Sequence, residues 1–143
     1  MNRYVVSVGT NIEPIANRVE AQRRLELRYR GLRCSAFIWT APLGITDQPI
    51  FLNGAFYFES ELDPAALKRE LTAIEDAMGR DRSGPRDGPR TIDLDIVVVN
   101  GEVVHRDYER RDFVCAAVDE LWPGLGAAGS GVEPRAEAGH VAR

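Results

Sequence analysis

The chain has 143 residues, 44% of them hydrophobic, and a formal net charge of −4. That is enough apolar content to bury one core without metal or disulfide staples, and the acidic balance argues against nonspecific nucleic-acid or membrane-surface binding as the main task. No stretch approaches the roughly 18 apolar residues of a membrane span and no charged-then-apolar leader opens the chain, so a cytoplasmic protein with small-molecule partners is expected, a monomer by default with a homo-oligomer left open.

Tyr4 to Val8 read as a short apolar strand ending at Gly9, with Asn11 placed to cap a helix over residues 14–29 whose apolar marks are Ile15, Val19, Leu25 and Leu27. A strand through Leu32 to Trp39 follows, then the loop TAPLGITDQP and a strand through Phe51 to Glu59. Asp63 before Pro64 marks a helix start, because an acidic cap precedes a residue whose missing amide hydrogen costs nothing in the first turn. Leu67, Leu71, Ile74 and Met78 repeat at helical spacing up to Gly79. The Gly- and Pro-punctuated segment MGRDRSGPRDGPR feeds a strand carrying Asp93 and Asp95, and Phe113 to Leu121 suit a last short helix.

The order β-α-β-β-α-β predicts an α+β fold, a ferredoxin-like core with two helices on one face of a four-stranded antiparallel sheet. Loops or a ligand are then expected on the other face. Residues 1–123 make the domain, and the Gly- and Ala-rich tail over 124–143 is expected to be loosely ordered. Cys34 and Cys115 lack metal-ligand spacing and are expected as two buried free thiols.

Asp93 and Asp95 stand one residue apart, so strand periodicity aims both carboxylates at one face. Two such acids repel each other and lose hydration, and a hard cation such as Mg²⁺ with its retained waters resolves both problems; solvent exposure or pairing with arginines is the alternative. Arg80, Arg82, Arg86 and Arg90 precede them, and guanidinium groups give bidentate contacts to phosphoryl oxygens. With 17 arginines in the chain, a scattered surface set is the competing reading, and Asp81 and Asp87 temper the local charge. Phe51 and Asn53 share strand parity: an aromatic ring there, or Phe113, would stack on a flat heterocycle while the amide reads its edge. Core packing is the heavier reading for Phe51, Phe56 and Phe58, and Trp39 reads as packing too. His105 lies near Arg106, Arg110 and Arg111, as a phosphate donor or a solvated side chain.

Taken together, GTN at Gly9 to Asn11, TAPLG and DQPIFLN between Thr40 and Asn53, Glu75 in the second helix and GPRTIDLDI from Gly88 to Ile96 resemble the hydroxymethyl-dihydropterin pyrophosphokinase family of folate biosynthesis. The likeness covers most of residues 4–123. It implies transfer of pyrophosphate from ATP to 6-hydroxymethyl-7,8-dihydropterin, with ATP as co-substrate and Asp93 and Asp95 as ligands shared by two Mg²⁺ ions. It implies that Arg82 and Arg90 join the two aspartates in catalysis. By the same resemblance Glu75, Arg80, Arg82, Arg90, His105 and Arg111 serve the nucleotide and its phosphates, and Thr40, Leu43, Phe51, Asn53 and Phe113 serve the pterin. Three departures stand out: a shorter segment before His105, Asp87 where a bulky aromatic is common, and Ala41 in place of the first proline of a double-proline loop. They keep two alternatives open, a noncatalytic pterin-binding or regulatory protein and a pyrophosphokinase for a modified pterin or a different nucleotide.

Overall fold

In the computed structural model, which describes residues 1–123, the elements run β1 (Asn2–Thr10), α1 (Pro14–Arg28), β2 (Arg30–Cys34), β3 (Ile38–Thr40), β4 (Phe51–Ser60), α2 (Pro64–Ala77), β5 (Asp93–Val99), β6 (Glu102–Val103), α3 (Asp107–Arg110) and α4 (Asp112–Leu121). The expectation for the tail from Gly124 lies outside the described residues. The strands pair antiparallel in the order β2-β4-β1-β5-β6, with β3 also on β4. This is the α+β, βαββαβ-type core that the order of elements predicts, enlarged by β3 and the β5–β6 hairpin.

Residue parity explains the layers. Tyr4, Val6 and Val8 of β1, Phe56 and Phe58 of β4, and Leu94 of β5 point to one side and pack with Ala21 and Leu25 of α1 and Leu67, Leu71 and Ile74 of α2. The alternate positions Val5, Ala55, Tyr57 and Val97 point to the other side, where Val114, Ala117, Val118 and Leu121 of α4 and the fully buried Trp122 cover them. Trp122 meets Tyr57 edge-on at 6.1 Å between centroids, and the Arg3 guanidinium lies 5.2 Å over the indole. The second face is therefore not left to loops or ligand alone: α4 roofs one end of it and leaves the other open.

Several local expectations change. The helix mark positions Ile15, Val19 and Leu27 of α1 are exposed, and the buried stripe is Arg18, Ala21 and Leu25, at spacings of three and four. The small Ala21 lets the helix approach, and the Arg18 guanidinium lies 4.4 Å over the Phe37 ring. The strand expected over Leu32 to Trp39 is split. Ser35 keeps the ladder going with its amide to the Ala55 carbonyl (3.0 Å) and its hydroxyl accepting from the Ala55 amide (2.8 Å), while the Ala36 amide donates to Glu120 of α4 at 2.9 Å. The chain bulges there, Phe37 lies over Gly54, and a Cβ at Gly54 would come within 2.5 Å of that ring. Trp39 emerges half-exposed on β3 rather than packed.

Helix α2 matches its prediction, with the Asp63 carboxylate accepting from the Ala66 amide at 2.8 Å. Asn11 does not cap α1. The N-cap is Glu13 at φ 41° with no side-chain cap bond, and the Asn11 side chain turns to two loops instead. The short connection before His105 is a two-residue hairpin turn, Asn100 and Gly101 at φ 51° and 86°, both in the left-handed region that Asn-Gly favours. Both cysteines are free; Cys34 is buried, whereas Cys115 is only half-buried on α4. Among the described residues no helix is long and apolar enough to cross a membrane.

Candidate active site

The end of the sheet that α4 leaves uncovered is a cleft of about 170 Å³. Its floor follows from register. Gly9 in the central strand stands opposite Asn53 on one side and Asp93 on the other, and Ser7 stands opposite Ala55 and Asp95. Asn53, Gly9 and Asp93 thus form one row across three strands, with Ser7 and Asp95 in the next. A Cβ at Gly9 would come 2.8 Å from the Asn53 Oδ1, so any side chain there would push the Asn53 amide aside. Phe113 and Val114, in the first turn of α4, close the covered end.

One half of the cleft is suited to a flat organic ring. Thr40, Leu43, Phe51, Asn53 and Phe113, the five residues expected on the organic substrate, all line it. The Asn53 Nδ2 donates to the Thr40 hydroxyl, which orients the amide and leaves its Oδ1 and second N–H for a heterocycle edge. The arrangement comes from β3: Ile38 pairs with Asn53 and Thr40 with Phe51, so the edge strand carries Thr40 to the amide.

The other half is charged. Asp93 and Asp95 line it together with Arg90 and Arg111, with Arg86 of the same arginine run, and with two residues that sequence reasoning did not place there, Asp107 and Ser7. Ser7 was legible only from its parity with Val5, and Asp107 only from its closeness to His105. Asp107 orders its own neighbourhood, with Arg111 Nε at 3.6 Å and His105 Nδ1 at 3.8 Å from its carboxylate oxygens. His105 faces this carboxylate, and its Nδ1 accepts from the Asp107 amide at 3.1 Å.

Arg80, Arg82 and Glu75 lie beside the cleft lining as a support. Glu75 on α2 is 4% exposed and reaches the outer edge of β5, which β6 pairs only at Val98 and Val99. Its Oε2 accepts from the Leu94 amide at 2.7 Å, between the two aspartates, and its carboxylate holds Arg80 at 3.1 Å and Arg82 at 2.8 Å. Arg80 also reaches Asp93 at 3.0 Å and Arg82 reaches Asp76 at 3.0 Å. Burial raises the Glu75 pKa despite the opposing hydrogen bonds from Arg82 and the Leu94 amide.

Asp95 carries the strongest signal. Desolvation comes first, then the negative charges of Asp93, Glu75 and Asp107, and together they push its pKa from 3.8 up to about 7 against the pull of Arg80. Arg80 sits on Asp93, not on Asp95. Among the described residues no group of three or more His, Cys, Asp or Glu side chains stands ready to enclose a metal. The donor set is instead two carboxylates on one open face with excess negative charge, which fits a hard cation that keeps waters and takes its remaining oxygens from phosphates.

Residues 5–123 match the family model of 7,8-dihydro-6-hydroxymethylpterin-pyrophosphokinase. The chain belongs to this family. It is 35% identical over 136 residues to the 2-amino-4-hydroxy-6-hydroxymethyldihydropteridine pyrophosphokinase of Methylorubrum extorquens, covering 87% of this chain and 85% of that one. The Haemophilus influenzae protein of the same name is 38% identical over 95 residues, 61% of this chain and 59% of that one. A folate synthesis bifunctional protein of Arabidopsis thaliana is 34% identical over 128 residues; the match covers 82% of this chain and only 26% of that longer relative.

Proposed function

We propose that this pyrophosphokinase-family protein transfers the terminal pyrophosphoryl group of ATP to the hydroxymethyl oxygen of 6-hydroxymethyl-7,8-dihydropterin, releasing AMP. The observation that carries the reading is the row Asn53, Gly9, Asp93 with Asp95 beside it, which puts a heterocycle-reading amide and a carboxylate pair on one floor across a residue with no side chain. A ring lying on the Phe51, Asn53 and Phe113 side directs an exocyclic alcohol toward the aspartates. Arg86, Arg90 and Arg111 supply positive charge where phosphates would lie.

In the transfer, the alcohol oxygen forms a bond to the β-phosphorus and its proton passes to water, while the bond from that phosphorus to the α,β-bridging oxygen breaks, AMP leaving with that oxygen. Mg²⁺, as two ions shared by Asp93 and Asp95, would supply charge neutralisation and polarisation of the β-phosphate. The protein's part is positioning: Glu75 holds the backbone between the aspartates, Arg80 fixes Asp93, and the arginine loop places guanidinium groups beside the phosphates. Arg82, held by Glu75 and Asp76, enters the reaction only by exchanging those partners for phosphate oxygens.

The nucleotide product is the test: AMP in step with pterin consumption supports the assignment, and ADP contradicts it. For Asn53→Ala, pterin affinity is expected to fall about 10- to 100-fold, equivalent to roughly 1–3 kcal/mol for ring donors and acceptors left unpaired, with nucleotide affinity changed much less. Titration of both ligands checks this, and equal pterin affinity in the two proteins would remove Asn53 from the site.

A further inference from the structure

The Asn11 side chain, expected to cap a helix, is 3% exposed and spends its polar atoms elsewhere. Its Oδ1 accepts from the Arg90 amide at 2.8 Å while the Asn11 backbone amide donates to the Arg90 carbonyl at 3.0 Å, so residue 11 imitates a short piece of strand pairing with the end of the arginine loop. Its Nδ2 donates to Gln48 Oε1 at 2.9 Å and to the Pro49 carbonyl at 3.0 Å. Gln48 completes the circuit, its Nε2 donating to the Ile45 and Asp87 carbonyls, both at 2.7 Å. Two amides therefore join the β1–α1 turn to two loops that have little regular structure of their own.

Each joined loop carries one half of the cleft. The loop between β3 and β4 bears Leu43 and leads to Phe51 on the ring side, and the arginine loop bears Arg86 and Arg90 on the phosphate side. We infer that Asn11 and Gln48 are positioning residues that couple these two walls, so that a heterocycle ordering one wall lowers the cost of ordering the other for a polyphosphate. The inference rests on the proposed function for the identity of the two ligands. Its physical content is a coupling free energy: a group bonded to both loops makes their ordered states mutually supporting, and by linkage each ligand must then raise the affinity of the other by the same factor. Neither amide needs to touch a ligand for this to hold.

Gln48→Ala is the first substitution, because Gln48 is half-exposed in a loop and its loss leaves the Asn11 contacts to Arg90 intact. Gln48→Glu is the sharper companion: it keeps an acceptor for Asn11 Nδ2 and removes the donor to Asp87. The measurement is the affinity for 6-hydroxymethyl-7,8-dihydropterin with and without Mg²⁺ and α,β-methylene-ATP, in which the bond to be broken is blocked. In the parent protein the nucleotide analogue is expected to tighten pterin binding at least about fivefold, the lower end of common coupling factors. In both variants that ratio is expected to fall to about two or less, with pterin affinity in the absence of nucleotide within about threefold of the parent. A parent ratio near one, or a variant ratio equal to a larger parent ratio, would overturn the clasp. Loss of pterin binding to the variants without nucleotide would also overturn it, by assigning Gln48 to direct contact. A parent that binds neither ligand would instead remove the proposed function on which the inference stands.

Discussion

Asp95→Asn is expected to abolish pyrophosphoryl transfer while making the metal-free protein more stable above neutral pH. The first effect follows from its place beside Asp93 on the open floor of the cleft; under the proposed function Asp95 would hold Mg²⁺, and losing a direct ligand should cost more than the roughly 10- to 100-fold typical of losing an outer-shell partner of a metal. The second follows from linkage. A carboxyl whose pKa rises from 3.8 to about 7 on folding is protonated in the folded state while the unfolded chain has already released its proton. Stability therefore falls as pH rises from about 4 to about 7, and the full penalty stands above that window. Asparagine removes the penalty, so in chelator the variant should be more stable than the parent at pH 8 by about 1–3 kcal/mol, with a higher unfolding temperature, and match it near pH 4. A variant that retains turnover, or is less stable than the parent at pH 8, would contradict the assigned environment.

Glu75→Ala carries the largest expected cost in stability. The substitution leaves the Leu94 amide without its acceptor and Arg80 and Arg82 without their shared partner in a nearly buried position. Although burial opposes ionisation of Glu75, orphaned partners dominate such deletions, and a loss of about 2–4 kcal/mol is expected in urea unfolding at pH 7. Glu75→Gln keeps an oxygen for the Leu94 amide and should lose about half as much. Because that bond fixes the backbone between Asp93 and Asp95, transfer should fall in Glu75→Ala even where it is folded, and less in Glu75→Gln, which keeps the bond. Stability within about 0.5 kcal/mol of the parent for Glu75→Ala would show that the β5 edge is held by other contacts.

The parts of this fold that local physics decides were legible in the residues. Alternation gave β1, β4 and β5 their faces, and the Asp63-Pro64 start with Leu67, Leu71 and Ile74 defined α2. The acid pair and the Asn53 parity located both halves of the cleft, because a two-residue period places side chains without knowledge of the partner strand.

What stayed hidden depended on distant partners. The break between β2 and β3 needs the Glu120 carboxylate, 84 residues beyond the Ala36 amide it accepts from. The buried face of α1 could not be read from Ile15, Val19 and Leu27, since an arginine stem and an alanine fill the space against Phe37 and the core. Asn11 followed a capping rule that the two loops outbid. The division of the arginines into Arg86 and Arg90 at the cleft and Arg80 and Arg82 at the Glu75 support is likewise a product of tertiary arrangement, because an irregular loop has no period from which to read direction. The Asn100-Gly101 turn was a local signal passed over, and it explains how the shortened segment before His105 still closes a hairpin.

The central claim is tested most directly by mass spectrometry of the pterin product after incubation of the protein with Mg²⁺, ATP and 6-hydroxymethyl-7,8-dihydropterin, with Asp95→Asn alongside. Pterin diphosphate and AMP in equal amounts, absent with the variant, is the predicted result; an unchanged pterin from a parent protein that binds both ligands would contradict catalysis and leave a binding protein in its place.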